Sequence, residues 1–249
     1  MVYANMIRTT SIANTLQGQV AAMADGEIFT YAIPAKGQSG MAYTKALSRM
    51  VQAGKLVRIE KGKYYKPKKS RFGNLRPSEA GIFKTLTQRG GKTIGYLTGN
   101  VLYNRWGLTT QVASVLTIAR RSRLPQKELS GYKIKFVVRP FAFKEADIPL
   151  LQLLDALTDI KKIPDTSPAK VIPILAERIR DLKETQISRM CTLAMEYPPS
   201  TRALLGALSE ACLPTGPVDL LRNSLNPLTK YKLKGVESVL PNKAKWNFI

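Results

Sequence analysis

Residues 41–54 read MAYTKALSRMVQAG, and residues 55–66 continue as KLVRIEKGKYYK. The first run has the apolar spacing of a helix and ends at a glycine. Its apolar side chains share one side: Tyr43, Leu47, Met50 and Val51. The second run places strand-forming residues on both sides of a turn at Lys61-Gly62. Together the two runs predict a helix followed directly by a two-stranded hairpin.

The residues before this stretch predict two further helices. Residues 9–24 carry apolar residues at helical spacing, and residues 31–35 predict a second, shorter helix. Residues 36–40, KGQSG, form the turn, in which Ser39 is a candidate N-cap for the third helix. Three helices followed by a hairpin are the outline of a winged helix-turn-helix domain, which we place at residues 1–66.

The outward face of the third helix has the side chains that read duplex DNA. Lysine and arginine can bond guanine in the major groove, and glutamine can bond adenine. The edge and tip of the hairpin are basic and suit the phosphates beside the groove. The predicted DNA-binding residues are Lys36, Gln38, Ser39, Ala42, Lys45, Arg49, Gln52, Arg58, Lys61 and Lys63. A solvated charged face on an ordinary core helix is the alternative, and the hairpin that follows favours DNA binding.

The charge of the chain points to a polyanionic partner. Its 249 residues include 39 Lys and Arg against 17 Asp and Glu, a formal net charge of +22. Residues 1–77 and 78–144 each carry +10, whereas residues 145–249 carry +2. A charge that served solubility alone would not need to concentrate in one part of the chain, so we expect a polyanionic partner. The predicted winged helix makes double-stranded DNA the expected polyanion.

Several classes of function are disfavoured. The chain has no histidine, the side chain best suited to proton transfer near neutral pH. Cys191 and Cys212 cannot build a four-ligand zinc site, and we interpret them as small core or half-buried residues. No apolar run approaches the roughly 20 residues of a membrane span. We therefore expect a cytoplasmic protein without metal or cofactor, and not an enzyme.

The rest of the chain predicts a second domain of mixed α/β type, so the fold class is α+β. Residues 67–77 are rich in basic residues and proline and predict a linker, with the second domain at residues 78–249. Residues 114–119 and 132–139 predict strands, and residues 147–213 predict helices. Basic side chains at these strands predict a charged face: Arg120, Arg121, Arg123, Lys133, Lys135 and Arg139. Whether this face meets nucleic acid or an acidic protein surface stays open.

Three sets of residues resemble one protein family. The first is Ser39 with KALSR at 45–49, Ala53-Gly54 and KGKY at 61–64. The second is LTGN at 97–100 with GLTTQ at 107–111, and the third is LPN at 240–242 with Trp246-Asn247. In this order they resemble the AbiEi-type antitoxins of the bacterial AbiE, or type IV, toxin–antitoxin systems. The resemblance runs through most of the chain.

The resemblance implies two activities. The winged helix would bind inverted repeats in the promoter of its own operon and repress it, with DNA contacts from residues 39–53 and 58–63. The second domain would neutralise a co-expressed toxin that resembles a nucleotidyltransferase, and the basic face is the candidate surface. Because no coiled-coil heptad marks a dimer interface, we expect a monomer in solution with two copies on DNA.

Two other interpretations remain. The chain could be a stand-alone winged-helix regulator whose second domain senses a ligand, and the neighbouring gene would decide between this and an antitoxin. An enzyme, such as a nucleotidyltransferase, would need closely spaced carboxylates beside a glycine-rich phosphate loop. Residues 90–107 contain no Asp or Glu, and Asp155 and Asp159, four apart on a predicted helix, lack such a loop nearby.

Overall fold

The computed structural model describes residues 12–30, 38–71, 73–212 and 218–249. The fold is α+β, with nine α-helices and several small sheets within these ranges. Among the described residues, no helix combines the length and the apolar character that crossing a bilayer requires. The chain divides into two compact units. The first unit extends to Arg89 and includes Glu128–Gly131, and the second comprises Gly90–Lys127 and Tyr132–Ile249.

The first unit combines three helices with short strands. Its elements in chain order are α1 (Ile12–Ala22), β1 (Ile28–Thr30), α2 (Gln38–Gln52), β2 (Val57–Glu60), β3 (Lys63–Tyr65), β4 (Lys69–Ser70), β5 (Gly73–Asn74), α3 (Glu79–Thr87) and β6 (Gln88–Arg89). Strands β1, β3 and β2 form an antiparallel sheet in that order, with Phe29 opposite Tyr64. The predicted hairpin after Gly54 is therefore confirmed, and β1 adds a third strand to it.

The core of the first unit forms where α1 and α2 pack together. Leu16 and Val20 on α1 meet Leu47 and Met50 on α2 in one apolar cluster. These residues recur at three to four positions along each helix, which places them on one side. Gly54 has a φ of +66° and Gly62 a φ of +74°, so both turns use the left-handed conformation that glycine adopts without strain.

Residues 67–77 and α3 differ from the predicted linker and second-domain start. The strands β4 and β5 pair there as a small antiparallel hairpin, and the Ser70 hydroxyl donates to the carbonyl of Gly73. Ser78 caps α3 by accepting a hydrogen bond from the Gly81 amide. Helix α3 packs against β1, so it belongs to the first unit instead of opening the second domain. Contacts between distant parts of the chain determine this division, and composition alone does not reveal them.

The second unit contains a sheet and a larger group of helices. Its elements are β7 (Lys92–Thr93), β8 (Gly95–Thr98), α4 (Asn100–Arg105), β9 (Val115–Arg120), β11 (Tyr132–Val138), α5 (Ile148–Asp159), α6 (Pro168–Arg180), α7 (Glu184–Ala194), α8 (Pro199–Cys212) and α9 (Asp219–Asn223). The short strand β10 (Lys127–Leu129) lies where the chain passes between the units. Two 3-10 helices, Glu145–Asp147 and Lys243–Trp246, complete the described elements.

Strand β9 lies between β8 and β11, which run in opposite directions. It pairs antiparallel with β8 and parallel with β11, so that Val115 lies opposite Lys133 and Arg120 opposite Val138. The predicted strands at 114–119 and 132–139 are thus confirmed within one residue at each end. One face of this sheet packs on the helices, because Ala119 and Val137 join the core cluster of α5 to α8.

The helices α5 to α8 form the main apolar core and lie within residues 147–213, which the sequence predicts to be helical. Leu151 and Leu154 of α5 and Leu175 of α6 are completely buried within it. Cys191 on α7 is buried in the same cluster, and burial raises the pKa of its thiol to about 11. The prediction for Cys191 as a core residue is confirmed, while the side chain of Cys212 lies outside the described residues.

The C-terminal segment is fixed to the second unit. The amide of Tyr231 donates to the Asn247 carbonyl, and the amide of Ile249 donates back to Tyr231, forming a parallel bridge. Trp246 is buried, and its indole N–H donates to Glu210 at 2.8 Å. The ring of Trp246 lies directly against the backbone of Gly206 on α8. These contacts hold the C-terminal segment against α8.

Candidate nucleic-acid interface

The outward face of α2 is exposed to solvent. Ala42, Lys45, Arg49 and Gln52 are exposed, as the helical spacing predicts. On the opposite side, Leu47 is 1% exposed. A helix with such a face presents a small residue near its beginning and hydrogen-bond donors along its length.

Three predicted positions before this face need separate mention. Lys36 lies outside the described residues, as does the predicted short helix at residues 31–35. Gln38 and Ser39 lie inside α2, whose side chains are described only from the third position onward. The helix begins at Gln38, so Ser39 lies in its first turn, and the prediction of an N-cap at Ser39 is wrong. Turn residues such as serine and glycine can occupy the N-cap or the first turn of a helix. The sequence KGQSG at 36–40 alone therefore does not determine at which residue the helix begins.

The same face contains residues that the prediction from sequence did not include. Met41 is 66% exposed at the beginning of α2, and Ser48 is exposed between Lys45 and Arg49. Thr44 is exposed too, but its hydroxyl donates to the carbonyl of Gly40. Rotation by 100° per residue places Met41 and Ser48 beside the charged residues. The helical periodicity identifies them as outward residues, although neither carries the charge or the amide group of the predicted contacts.

The hairpin carries its basic residues in three different environments. Lys61 is exposed at the tip. Arg58 is exposed as well, and its Nε donates to the carbonyl of Glu60 at 3.4 Å. The ammonium of Lys63 lies 2.9 Å from the carboxylate of Glu60. A surface pair of this kind contributes only about 0.2–1 kcal/mol, so Lys63 can exchange Glu60 for another anion.

More lysines lie beside α1 and the end of α2. Lys55, Lys68 and Lys69 are exposed around a cavity of about 570 Å³ whose apolar lining includes Val20 and Met50. Lys66 lies in the same region, but its ammonium donates to the carbonyls of Ala21 and Met23 at the end of α1. The first unit therefore has an extended basic surface beyond the residues predicted.

The predicted basic face of the second unit is smaller than expected. Arg121, Arg123, Lys133 and Lys135 are exposed, and Arg120 is half-buried at the end of β9. Arg139 does not join them, and this part of the prediction is wrong. It follows the last residue of β11, and its guanidinium donates from Nε and Nη2 to Asp155 Oδ1 at 2.9 and 2.6 Å.

The ion pair of Arg139 belongs to a buried network. Asp155 on α5 is fully buried, and its Oδ1 also accepts a hydrogen bond from the Tyr197 hydroxyl at 2.9 Å. Burial raises the pKa of Asp155, and the adjacent Arg139 opposes that shift. The Tyr197 hydroxyl lies 3.5 Å from that of Tyr96 on β8. The network connects the end of β11, α5 and β8 inside the core, which gives it a structural role.

Asp155 and Asp159, which lie four residues apart on α5, have separate hydrogen-bond and ion-pair partners. Asp159 accepts a hydrogen bond from the Tyr103 hydroxyl at 3.0 Å and lies 3.6 Å from the ammonium of Lys162. Each aspartate therefore has its own partners. Within the described ranges, no group of three or more His, Cys, Asp or Glu side chains has a metal-binding arrangement.

A family model matches residues 20–147, slightly more than half of the chain, and its description is "Family of unknown function (DUF6088)". The chain belongs to the DUF6088 family. In this DUF6088 chain the matched region includes α2, the hairpin and the sheet of β8, β9 and β11. The match thus covers the candidate interface and the basic face together.

One solved structure shares the architecture of this DUF6088 protein. It is the crystal structure of the RV2827C protein from Mycobacterium tuberculosis, with a TM-score of 0.52 and 13% sequence identity. The similarity covers 87% of this chain and 82% of the other. At that identity the likeness concerns the fold alone. A comparison with curated proteins finds no match.

Proposed function

We propose that this protein binds double-stranded DNA through a winged helix-turn-helix in its first unit. The observation that carries the proposal is the exposed face of α2, where Lys45, Arg49 and Gln52 lie on one side of a helix. The hairpin follows this helix after a glycine and places Lys61 at its tip. A helix for the groove and a basic hairpin for the phosphates are the two parts that a winged helix brings to DNA.

The order of elements supports this proposal. Helix α1, strand β1, helix α2 and the β2–β3 hairpin follow one another, and β1 joins the hairpin to give the sheet order β1-β3-β2. The core between α1 and α2 uses the inward side of α2, so the charged side stays available to a ligand. The amides of Lys55 and Leu56 both donate to the Met50 carbonyl, which fixes the hairpin at the end of α2.

The two parts of the surface would contribute differently to binding. Lysine and arginine side chains that contact phosphates contribute affinity for any duplex, and this contribution falls as the salt concentration rises. Lys61, Arg58 and the lysines around residue 68 are suited to that role. Contacts with base edges supply the preference for one sequence. Lys45, Arg49 and Gln52 have the donors for such contacts.

We further propose that the protein acts as an antitoxin that represses its own operon. The resemblance to AbiEi-type antitoxins in residues 39–64 and 97–111 supports this, together with the basic surface of the second unit. Two copies would bind the inverted repeats of the promoter, and the exposed Arg121, Arg123 and Lys133 are candidates for countering a nucleotidyltransferase-like toxin. In this proposal the chain is not an enzyme and needs no cofactor.

A stand-alone regulator with a ligand-sensing second domain is the second candidate, and a polar cleft in the second unit favours it. Coexpression with the product of the neighbouring gene separates the two. An antitoxin restores growth in the presence of that product, and the Lys45→Ala, Arg49→Ala double variant still does so if neutralisation and DNA binding use different units. A stand-alone regulator does not restore growth.

Binding of the full chain to a fluorescent duplex from its own promoter tests the DNA-binding proposal. The dissociation constant is measured from 50 to 200 mM salt, with an unrelated duplex as control. About five phosphate contacts per copy predict a roughly 500-fold loss of affinity over this range, for either duplex. Tighter binding to the promoter at every salt concentration is also expected. Binding that is independent of salt, or equal for both duplexes, contradicts the proposal.

A further inference from the structure

A polar cleft of about 540 Å³ opens on the sheet of the second unit. Thr117 on β9 forms part of its floor, and Lys135 on β11 lies beside it. Gly99 and Asn100 at the start of α4 and Lys162 beyond α5 also line the cleft. The size lies within the range of roughly 300–1,000 Å³ that is usual for sites of small molecules.

A glycine allows the start of α4 to lie directly against β9 beside this cleft. Gly99 has a φ of +75°, and a Cβ built there would lie 2.9 Å from both Cβ and Oγ1 of Thr117. No side chain fits between the start of α4 and β9 at this point. The LTGN sequence at 97–100 therefore serves a close approach of backbone to strand, which leaves the Asn100 and Thr117 side chains at the surface of the cleft.

The loop of residues 107–111, whose Gln111 lines the cleft, is held by hydrogen bonds within the protein. Thr109 is 5% exposed, and its hydroxyl donates to the Pro164 carbonyl at 2.7 Å and accepts from the Gln111 amide at 3.1 Å. The side-chain amide of Asn104 donates to the Thr109 carbonyl. The GLTTQ sequence at 107–111 thus holds Gln111 at the cleft. A rigid wall lowers the entropy cost of binding.

The charges in the cleft favour an anion. Lys135 is exposed, and its ammonium has no ion pair or hydrogen bond with the residues that the structure describes. Lys162 is 78% exposed, and the carboxylate of Asp159 near it is shared with the hydroxyl of Tyr103. The cleft is therefore lined by two lysines and by one aspartate, Asp159, whose carboxylate already accepts a hydrogen bond from Tyr103. The side-chain amides of Asn100 and Gln111 and the hydroxyl of Thr117 supply neutral polar groups.

We propose that this cleft binds a small organic phosphate of the nucleoside phosphate class. A phosphate group offers several acceptor oxygens and more than one negative charge, which match two lysines and neighbouring neutral donors. The cleft is too large for inorganic phosphate alone. Val112, 86% exposed, and Val137 give it apolar surface for a flat ring. The inference goes beyond DNA binding, because every residue it uses belongs to the second unit.

Isothermal titration of the full chain with ADP, without DNA, tests the inference. Parallel titrations with adenosine and with inorganic phosphate separate the contributions of ring and phosphate. Lys135→Gln is the test variant, and Lys133→Gln is the matched control. Lys133 is exposed on the same face of β11, two residues away, and does not line the cleft.

ADP is expected to bind more tightly than either fragment. Loss of one charged hydrogen bond predicts about tenfold weaker binding in Lys135→Gln, with Lys133→Gln unchanged. The proposal is overturned by absence of ADP binding, by adenosine or inorganic phosphate binding as tightly as ADP, or by equal effects of the two substitutions. Because no DNA is present, failure here is distinct from failure of the DNA-binding proposal.

Discussion

Phe29 of β1 and Tyr64 of β3 stack with their ring centroids 5.7 Å apart and 26° between their planes. The two residues also lie opposite each other in the antiparallel register of these strands. Tyr64 is 8% exposed and joins the apolar cluster of α1 and α2. The ring pair thus joins β1 to a hairpin residue that packs in the core behind α2.

Removing one ring of this pair should weaken the first unit. Phe29→Ala is expected to lower the free energy of unfolding by about 1.5–3 kcal/mol, from lost apolar burial and ring contact. Tyr64→Phe keeps the stacked ring and should remain within about 0.5 kcal/mol of the wild type, the usual range for a change that removes no packing. Urea unfolding provides the measurement. Equal stability of Phe29→Ala and the wild type would show that the pair does not hold the hairpin.

The two tip lysines of the hairpin should differ in their effect on DNA. Lys61 is exposed, whereas Lys63 is paired with Glu60. Lys61→Ala should reduce the dependence of log K on log salt by about 0.9, the value for one phosphate contact, and weaken binding to every duplex. Lys63→Ala should have a smaller effect, because part of its charge is already neutralised. Fluorescence anisotropy across a salt series measures both, and a larger effect at Lys63 would contradict this arrangement.

The local pattern of the sequence was sufficient for α2 and for the hairpin that follows it. It predicted which side of α2 is buried, because Leu47 and Met50 recur at helical spacing. It also predicted the turn at Lys61-Gly62, because glycine alone adopts the required positive φ without strain. Both features depend on residues that are close together along the chain.

The same reasoning did not predict contacts between residues that are distant in the sequence. Alternation along residues 132–139 places Arg139 with Lys133 and Lys135, but the strand ends at Val138. Nothing local to Arg139 indicates that Asp155, sixteen residues later, lies buried beside it. The cleft of the second unit depends in the same way on LTGN and GLTTQ meeting across β9. The motifs were visible in the sequence, whereas their position at one cleft with Thr117 and Lys135 was not.

A glycine-to-alanine exchange should have opposite effects in two helices. Gly206 on α8 lies against the Trp246 ring, so an added methyl group forces the ring to move. Gly206→Ala is expected to destabilise the protein by about 1–3 kcal/mol through overpacking. Gly18 on α1 has open space where a methyl group would be added, with no atom within 4 Å, and Gly18→Ala should stabilise by up to about 1 kcal/mol. Urea unfolding followed by circular dichroism, which reports the helices of both units, measures both, and a stabilising Gly206→Ala would contradict the packing at Trp246.

Asp147 should make stability dependent on pH in the acid range. Hydrogen bonds from Arg189 at 2.9 and 2.8 Å, and one from the Lys144 amide, lower the pKa of Asp147 below its ordinary value. The ionised carboxylate is therefore favoured in the folded state. Its contribution is present above the ordinary pKa of about 4 and is lost as the pH falls through the lower, folded-state value.

Asp147→Asn tests this dependence. At pH 7 the substitution should lower the free energy of unfolding by about 1 kcal/mol, a modest value because Arg189 is partly exposed. The difference from the wild type should shrink as the pH falls below about 4. Glu196→Gln, at an exposed carboxyl, serves as control. Urea unfolding at pH 7 and at pH 3 gives the result, and a difference that stays constant between them would exclude the ion pair as its cause.

The most direct measurement compares promoter binding by two double variants with the same change in net charge. Lys45→Ala with Arg49→Ala removes donors from the outward face of α2, and Lys230→Ala with Lys234→Ala removes two exposed lysines of the second unit. The first variant should lose at least about tenfold in preference for the promoter over an unrelated duplex, at about 1–3 kcal/mol for each base contact. The second should keep that preference. Equal preference in both variants would contradict the claim that α2 reads DNA.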